Sequence, residues 1–275
     1  MFSFKSLLES KKRPLIMGIL NITPDSFSDG GEVFSIDAVI EKVKKLCDEG
    51  ADIIDVGACS TAPGNIIVSE EEEIGRLQQF LPAIISYSTV PVSVDTFRPA
   101  VAKLCLEYGA DIINDESGIF KKDMAELVEE FGCGWIVMHT GGKTSDDNCK
   151  YPVGVVAGVC GFFEEIKNEV CKFSIFEEQI CYDCGIGFGK LRQDDLTLMS
   201  GCAALCEKYP LLIGVSRKRI IGEITGESNP KERVFGSVAA AALLAQKGVS
   251  VLRVHDVKET LDAIKVSEAI KRGVL

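Results

Sequence analysis

Four stretches of the chain repeat one plan: EGADIIDVG (49–57), YGADIIND (108–115), FGCGWIVMH (131–139) and KGVSVLRVHD (247–256). In each, a helical pattern ends in glycine, which takes the left-handed conformation of a helix C-terminus at no steric cost. A short β-branched run follows, then a polar residue. Apolar runs without alternation read as strands buried on both faces, hence a parallel sheet.

Further runs of this kind lie at 15–20, 90–94, 180–182 and 211–215, beside those at 53–56, 112–113, 135–138 and 251–254. Amphipathic helical stretches separate them: 36–48, 70–86, 98–107, 123–131, 155–173, 194–207, 234–247 and 257–271. This regular βα alternation, about eight units long, predicts a closed TIM (βα)8 barrel, which takes about 250 residues. An open doubly wound sheet is the alternative, but no GxGxxG opens the first helix. No low-complexity linker divides the chain, so residues 1–275 are read as one domain.

A net charge of -11 argues against nucleic acid or an anionic membrane as the main partner. It leaves room for a small anionic substrate, whose field is set by a few local cations. No apolar stretch approaches the roughly 18–20 residues that span a bilayer, and the start shows no secretory leader pattern. The eleven cysteines fall largely inside apolar patterns, which reads as reduced, buried thiols and a cytoplasmic protein. Cys181 and Cys184 have CxxC spacing, but no second pair completes a zinc site.

The strand ends carry the chemistry. Asn21, Asp55, Asp95, Asn114, His139, Asp183, Ser216, Arg253 and His255 end or directly follow the apolar runs, and the set includes both histidines of the chain. In a barrel these ends converge on one mouth, where catalytic groups sit. A polar residue there can also be a turn or cap, the expected role of Asp115. Asp95, Asn114 and Asp183 can accept hydrogen bonds from the donor edge of a flat heterocycle. Ser216-Arg217-Lys218 is expected to open a helix, with Lys218 on a carbonyl or phosphate and Arg217 offering a planar face. Ser60, Thr61, Arg253 and His255 suit phosphate oxygens. Asn21 offers a neutral oxygen, which suits Mg2+ that keeps its waters and substrate phosphates. The segment DCGIGFGK (183–190) reads as a phosphate loop, as backbone pressed against a planar ligand, or as a plain turn. Cys59 has no evident base beside it, so covalent catalysis is not indicated. The loop NITPDSFSDGGEVFS (21–35) exceeds the usual 2–6 residues of a strand-to-helix connection.

Together, MGILNITPDSFSDGG (17–31), DVGACSTAPG (55–64), SVDT (93–96), IIND (112–115), MH (138–139), DCGIGFGK, SRK (216–218) and RVHD (253–256) resemble the blocks of the dihydropteroate synthase family, in the family's order. The resemblance implies a TIM barrel, usually a homodimer. It implies condensation of p-aminobenzoate with hydroxymethyl-dihydropterin pyrophosphate, with Mg2+ and with sulfonamides as competitors. Carried over by position, Asp95, Asn114, Asp183 and Lys218 match pterin-holding residues. Met138, Phe188 and Arg217 match the walls of the pterin or aminobenzoate pocket. Thr61 and Ser216 match positions near the aminobenzoate, and Asn21, Arg253 and His255 the pyrophosphate and Mg2+ end. On this reading 21–34 and 57–69 are mobile active-site loops, the first a lid with Phe27 walling the aminobenzoate site. Asp95, Lys218, Arg253 and His255 are expected to be catalytic.

Three positions depart from the family pattern. Ala62 stands where arginine is usual, Cys184 where proline is usual, and Glu116 where an apolar pterin neighbour is usual. Lys190 and Arg192 are the candidates to replace the missing cation. The departures keep open a pterin-binding homologue with altered substrate or no synthase activity. A methyltetrahydrofolate-dependent corrinoid methyltransferase is a further alternative, though it has no need of SRK and RVHD.

Overall fold

The computed structural model describes residues 1–23, 35–59, 68–141 and 151–274. Eight strands form a closed barrel in chain order: β1 Leu15–Asn21, β2 Ile53–Gly57, β3 Val92–Asp95, β4 Ile112–Asp115, β5 Gly134–Met138, β6 Ile180–Asp183, β7 Leu211–Ile213 and β8 Val251–Val254. Every neighbouring pair is parallel, including the closing pair of β1 and β8. The (βα)8 expectation holds. Its cause is visible at Gly50, Gly109, Gly132 and Gly248, all at positive φ, where the chain turns from helix into strand.

The helices are α1 Phe4–Lys11, α2 Ile36–Asp48, α3 Glu70–Tyr87, α4 Pro99–Tyr108, α5 Lys122–Phe131, α6 Val155–Val170, α7 Arg192–Gly201, α8 Ala203–Cys206, α9 Arg219–Thr225, α10 Val234–Gln246 and α11 Val257–Arg272. The single helix expected over 194–207 is divided at Cys202 into α7 and α8. Helix α1 has no counterpart among the sequence expectations, because eight charged and mixed residues carry little periodicity.

Strand alternation sorts the side chains into two cores. Outward residues such as Ile54, Val94, Ile113 and Trp135 meet the helices and form the larger cluster. Inward residues at the N-terminal end of the barrel, among them Met17, Ile53, Ile112, Ile136, Cys181 and Leu212, form a second cluster that Phe4 of α1 stoppers. Truncating one such side chain, Ile53→Ala for example, costs about 2–5 kcal/mol. Two residues further along, the inward positions become Asp55, Asn114, Asp183 and Arg253, joined by Asp95 of β3. The barrel interior therefore changes from apolar to charged along its axis, and the charged end is the C-terminal one.

Candidate active site

The mouth holds a cavity of about 480 Å³, lined by Asn21, Asp95, Phe188, Ser216, Lys218 and Arg253 among others. Arg217 and His255 also line it. Eight of the site residues that the family resemblance implies thus share one cavity. Asn114, Met138 and Asp183 lie just beneath, at 1%, 1% and 7% exposure, where a strand end meets the floor. Phe27, Thr61 and Ala62 lie outside the described residues, as do 24–34 and 60–67 of the two loops.

Arg253 organises the floor. Its Nε donates to Asp55 Oδ2 at 2.6 Å and its Nη2 to Asp95 Oδ2 at 2.8 Å. Asn114 Nδ2 donates to the same Asp55 oxygen at 3.3 Å. The amide oxygen Oδ1 of Asn114 and Oδ1 of Asp55 are buried without a hydrogen-bond partner. Such acceptors are costly to leave idle, which marks a place where a donor-bearing ligand belongs. Burial pushes the Asp95 carboxyl well above the usual carboxylate range; Glu116 adds to this and Arg253 opposes it. Burial likewise raises Asp183, with Lys218 opposing.

Lys218 and Arg253 flank Gly214: a Cβ there would lie 3.8 Å from Lys218 Nζ and 3.6 Å from Arg253 Cβ. Lys218 Nζ donates to Ile186 O at 2.5 Å and stands 4.7 Å over the Phe188 ring. Burial lowers its pKa. The glycine-rich segment after β6 thus contributes both a carbonyl and an aromatic face, which favours the planar-ligand reading over a phosphate loop. Gly185 N donates to Asp183 Oδ1 at 2.7 Å and Gly187 N to Asp195 Oδ1 at 2.8 Å, so two of its amides are already committed.

His255 is neutral here. Burial, with Arg217 and Arg253 nearby, brings its pKa down to about 4. Its backbone N–H donates to Ser216 Oγ at 3.2 Å, and Oγ lies 3.1 Å from the ring Nδ1. In the tautomer in which the hydroxyl donates to Nδ1, the ring proton sits on Nε2, from which a neutral His255 can donate to an anion. His139, the other histidine, is not part of the cavity lining. Its ring centroid lies 5.2 Å from that of Phe162 and 6.0 Å from that of Tyr151, and burial lowers its pKa to about 3.

Arg217 is held away from the floor by a two-bond ion pair with Asp256, at 3.0 and 2.5 Å. Of the two candidates for the cation usual at position 62, Arg192 lines the cavity and Lys190 does not. Lys190 is 1% exposed and spends its ammonium on three carbonyls. Arg192 pairs with Asp195 and Glu223. Glu116 lines the cavity rather than pointing away from it. Cys59 lines it too, but burial raises its thiol pKa, the reverse of what a nucleophile needs. Asp115 makes the expected turn, accepting from Ser117 N at 2.9 Å. Asp55, Asp256 and Lys190 carry structural roles that the residue types alone did not assign; the signal for Asp55 was its place at a strand end.

Asn21 is exposed at the end of β1. Its Oδ1 lies 3.1 Å from where a Cβ on Gly57 would sit, so glycine opposite keeps that oxygen clear. Among the described residues no group of three His, Cys, Asp or Glu forms a metal site. One neutral oxygen fits Mg2+ carrying water and phosphate ligands, and does not fit a metal enclosed by protein alone. No described helix is long and apolar enough to cross a membrane.

Comparison with known proteins agrees with this geometry. The model of a family described as pterin binding enzyme matches residues 17–255. A dihydropteroate synthase of Neisseria meningitidis serogroup B is 43% identical over 268 residues, covering 94% of this chain and 93% of its own. The structure of Xanthomonas albilineans dihydropteroate synthase with 4-aminobenzoic acid superimposes with a TM-score of 0.87 at 39% identity, covering 94% of this chain and 93% of that one. A structure of the same enzyme with 7,8-dihydropteroate gives 0.84 at 38% identity, covering 94% of each chain. A shared barrel alone would not transfer a function, but identity at this level extends over nearly the whole of both chains, and the chain is a member of the dihydropteroate synthase family of pterin-binding enzymes.

Proposed function

We propose that the chain condenses p-aminobenzoate with hydroxymethyl-dihydropterin pyrophosphate to give dihydropteroate and pyrophosphate. The observation that carries this is Arg253, suspended between Asp55 and Asp95 at the base of a cavity that also presents Lys218 and His255. Asp95, Asn114 and Asp183 supply acceptors for the amino and ring N–H groups of the pterin, and Lys218 supplies a donor for its carbonyl. Phe188 and Met138 line the flat faces. Arg217 and Ser216 belong to the aminobenzoate side.

The C–O bond to pyrophosphate breaks and leaves positive charge on the pterin methylene, delocalised into the ring. Asp95 faces that charge when ionised. The aniline nitrogen lone pair forms the new C–N bond and then releases its proton. Arg253 and neutral His255 receive the leaving group through N–H donors. Asn21 Oδ1, together with water and phosphate oxygens, would hold Mg2+, which would supply charge neutralisation at the leaving group. Sulfonamides share the aryl amine of p-aminobenzoate and compete for the same side.

The apolar face of α10 and α11 supports a homodimer: Phe235, Leu243, Val266 and Ile270 are exposed on these two helices, with Phe235 at 89%. The ten described cysteines are all free, which supports a reducing, cytoplasmic setting.

Pyrophosphate release from the pterin substrate with Mg2+, measured with and without p-aminobenzoate, tests the reading. Release that depends on p-aminobenzoate is expected. Ala62, together with the commitment of Lys190 to three backbone carbonyls, favours one second reading, a pterin-binding homologue; pterin binding without release would establish it.

A further inference from the structure

Lys190 is among the largest fully buried side chains of the protein. Its Nζ donates to His139 O at 3.1 Å, Gly185 O at 2.9 Å and Phe188 O at 3.2 Å. An ammonium has three donors, and all three are used on backbone. The first acceptor follows β5; the other two belong to the loop after β6. A buried charge is tolerated only when its donors are satisfied, so this is a committed arrangement. Burial lowers the Lys190 pKa to about 8, which leaves the ammonium the main form at pH 7.

The loop it holds is unusual. Gly185, Gly187 and Gly189 lie at φ +62°, +84° and +60°. A Cβ on Gly185 would fall 2.0 Å from His139 O, and one on Gly141 2.2 Å from Gly189 O, so loop and β5 end are in direct backbone contact. The carbonyls of residues 185 and 188 turn inward to Lys190, where they also accept from Phe188 N at 3.1 Å and Gly141 N at 3.2 Å. One of the two carbonyls between them, Ile186 O, turns outward to Lys218, and the Phe188 ring lies beneath the same ammonium. Asp183 and Asp195 hold only N–H groups of this loop.

We propose that Lys190 is a positioning residue for the pterin end of the site: by turning two loop carbonyls inward it aims Ile186 O and Phe188 at Lys218 and so fixes where that ammonium meets the heterocycle. The inference rests on the synthase reading for its substrate. Lys190→Met keeps chain length and burial but removes the donors, and Lys190→Arg keeps the charge. Lys190→Met is expected to raise the KM for pterin pyrophosphate about tenfold or more, the effect of one lost hydrogen bond to a charged group. The KM for p-aminobenzoate stays near the wild-type value, unfolding stays cooperative, and Lys190→Arg recovers part of the loss. An unchanged pterin KM in folded Lys190→Met, or equal rises in both KM values, overturns the proposal. Should Lys190→Met not fold, Lys190→Gln, which retains two N–H donors, is compared with wild type in the same way.

Calorimetric titration with the pterin pyrophosphate separates the two levels. Wild type that binds pterin but does not turn over refutes the synthase reading, while a lower pterin affinity of the variant still supports the positioning role and an equal affinity still overturns it. Wild type that binds no pterin refutes both.

Discussion

Arg253 Nε lies 2.6 Å from Asp55 Oδ2 although the two residues are separated by 198 positions in the chain. Asp55 is fully buried, so this pair is no surface ion pair. Removing one partner of a buried pair strands the other, at a cost of about 3–5 kcal/mol. Asp55→Ala is therefore expected to lower the unfolding free energy measured by denaturant titration by that order, and Asp55→Asn to lower kcat/KM by about one to two decades while remaining folded. Wild-type kcat/KM in Asp55→Asn would show that Arg253 needs no carboxylate on β2.

Arg217 occupies φ +60°, a left-handed conformation costing a residue with a side chain about 1–2 kcal/mol. Its N–H donates to Ser237 Oγ at 2.8 Å, its carbonyl accepts from Arg233 at 3.0 Å, and Asp256 holds its guanidinium. Strain retained by so many bonds points to a required orientation. Asp256→Asn is expected to raise the KM for p-aminobenzoate about tenfold with the pterin KM little changed. Steady-state kinetics varying each substrate in turn decides it; a rise confined to the pterin KM would place Arg217 at the other substrate.

His139 carries an acid sensitivity. Its folded pKa, about 3, lies below the ordinary 6.5 because of burial and, second, Lys190. Between those values the unfolded chain binds the extra proton, so this group's contribution to stability is present above pH 6.5 and is lost as pH falls toward 3. Asp95 and Asp183 are shifted upward and act in the opposite direction, their contribution falling as pH rises through their folded pKa values. His139→Gln isolates the histidine and leaves its backbone carbonyl for Lys190. Urea midpoints at pH 7 and pH 4.5 should differ less in the variant than in wild type; equal differences would refute the assignment.

Cys59 lines the cavity but has a thiol pKa raised by burial. Cys59→Ser is expected to retain kcat within about twofold, since no covalent intermediate passes through it. A loss of several decades in kcat would make Cys59 a catalytic residue.

On α10 and α11, Phe235 and Ile270 are exposed at 89% and 76%. Large exposed apolar side chains on one face mark an interaction surface. Phe235→Glu combined with Ile270→Glu should shift the mass measured by light scattering from two chains to one. A wild-type protein that is already monomeric at micromolar concentration would remove the homodimer from the reading.

The fold was legible because its signals are local. Gly50, Gly109, Gly132 and Gly248 end helices through their own φ, and the β-branched runs after them need both faces covered wherever they are placed. Helix α2 starts where Ser35 accepts a hydrogen bond from Ala38 N at 3.2 Å, three residues away. Strand ends, and with them Asp95, Asn114, Asp183, Ser216 and Arg253, follow from the same local pattern. Helix α1 was missed since its place depends on the barrel end that Phe4 fills, not on its own periodicity.

Charge state and partnership were settled only by closure of the barrel. His255 is neutral because burial and two arginines surround it, and Lys190 is spent on three carbonyls rather than offered to a substrate. Arg217 turns to Asp256, 39 positions away. The residues of this chain thus name a set of chemical groups and the ends of the strands that carry them. Which groups meet, and which are desolvated, depends on strands far apart in sequence becoming neighbours, because electrostatic and hydrogen-bond energies are set by distance and dielectric, which no local stretch of sequence contains.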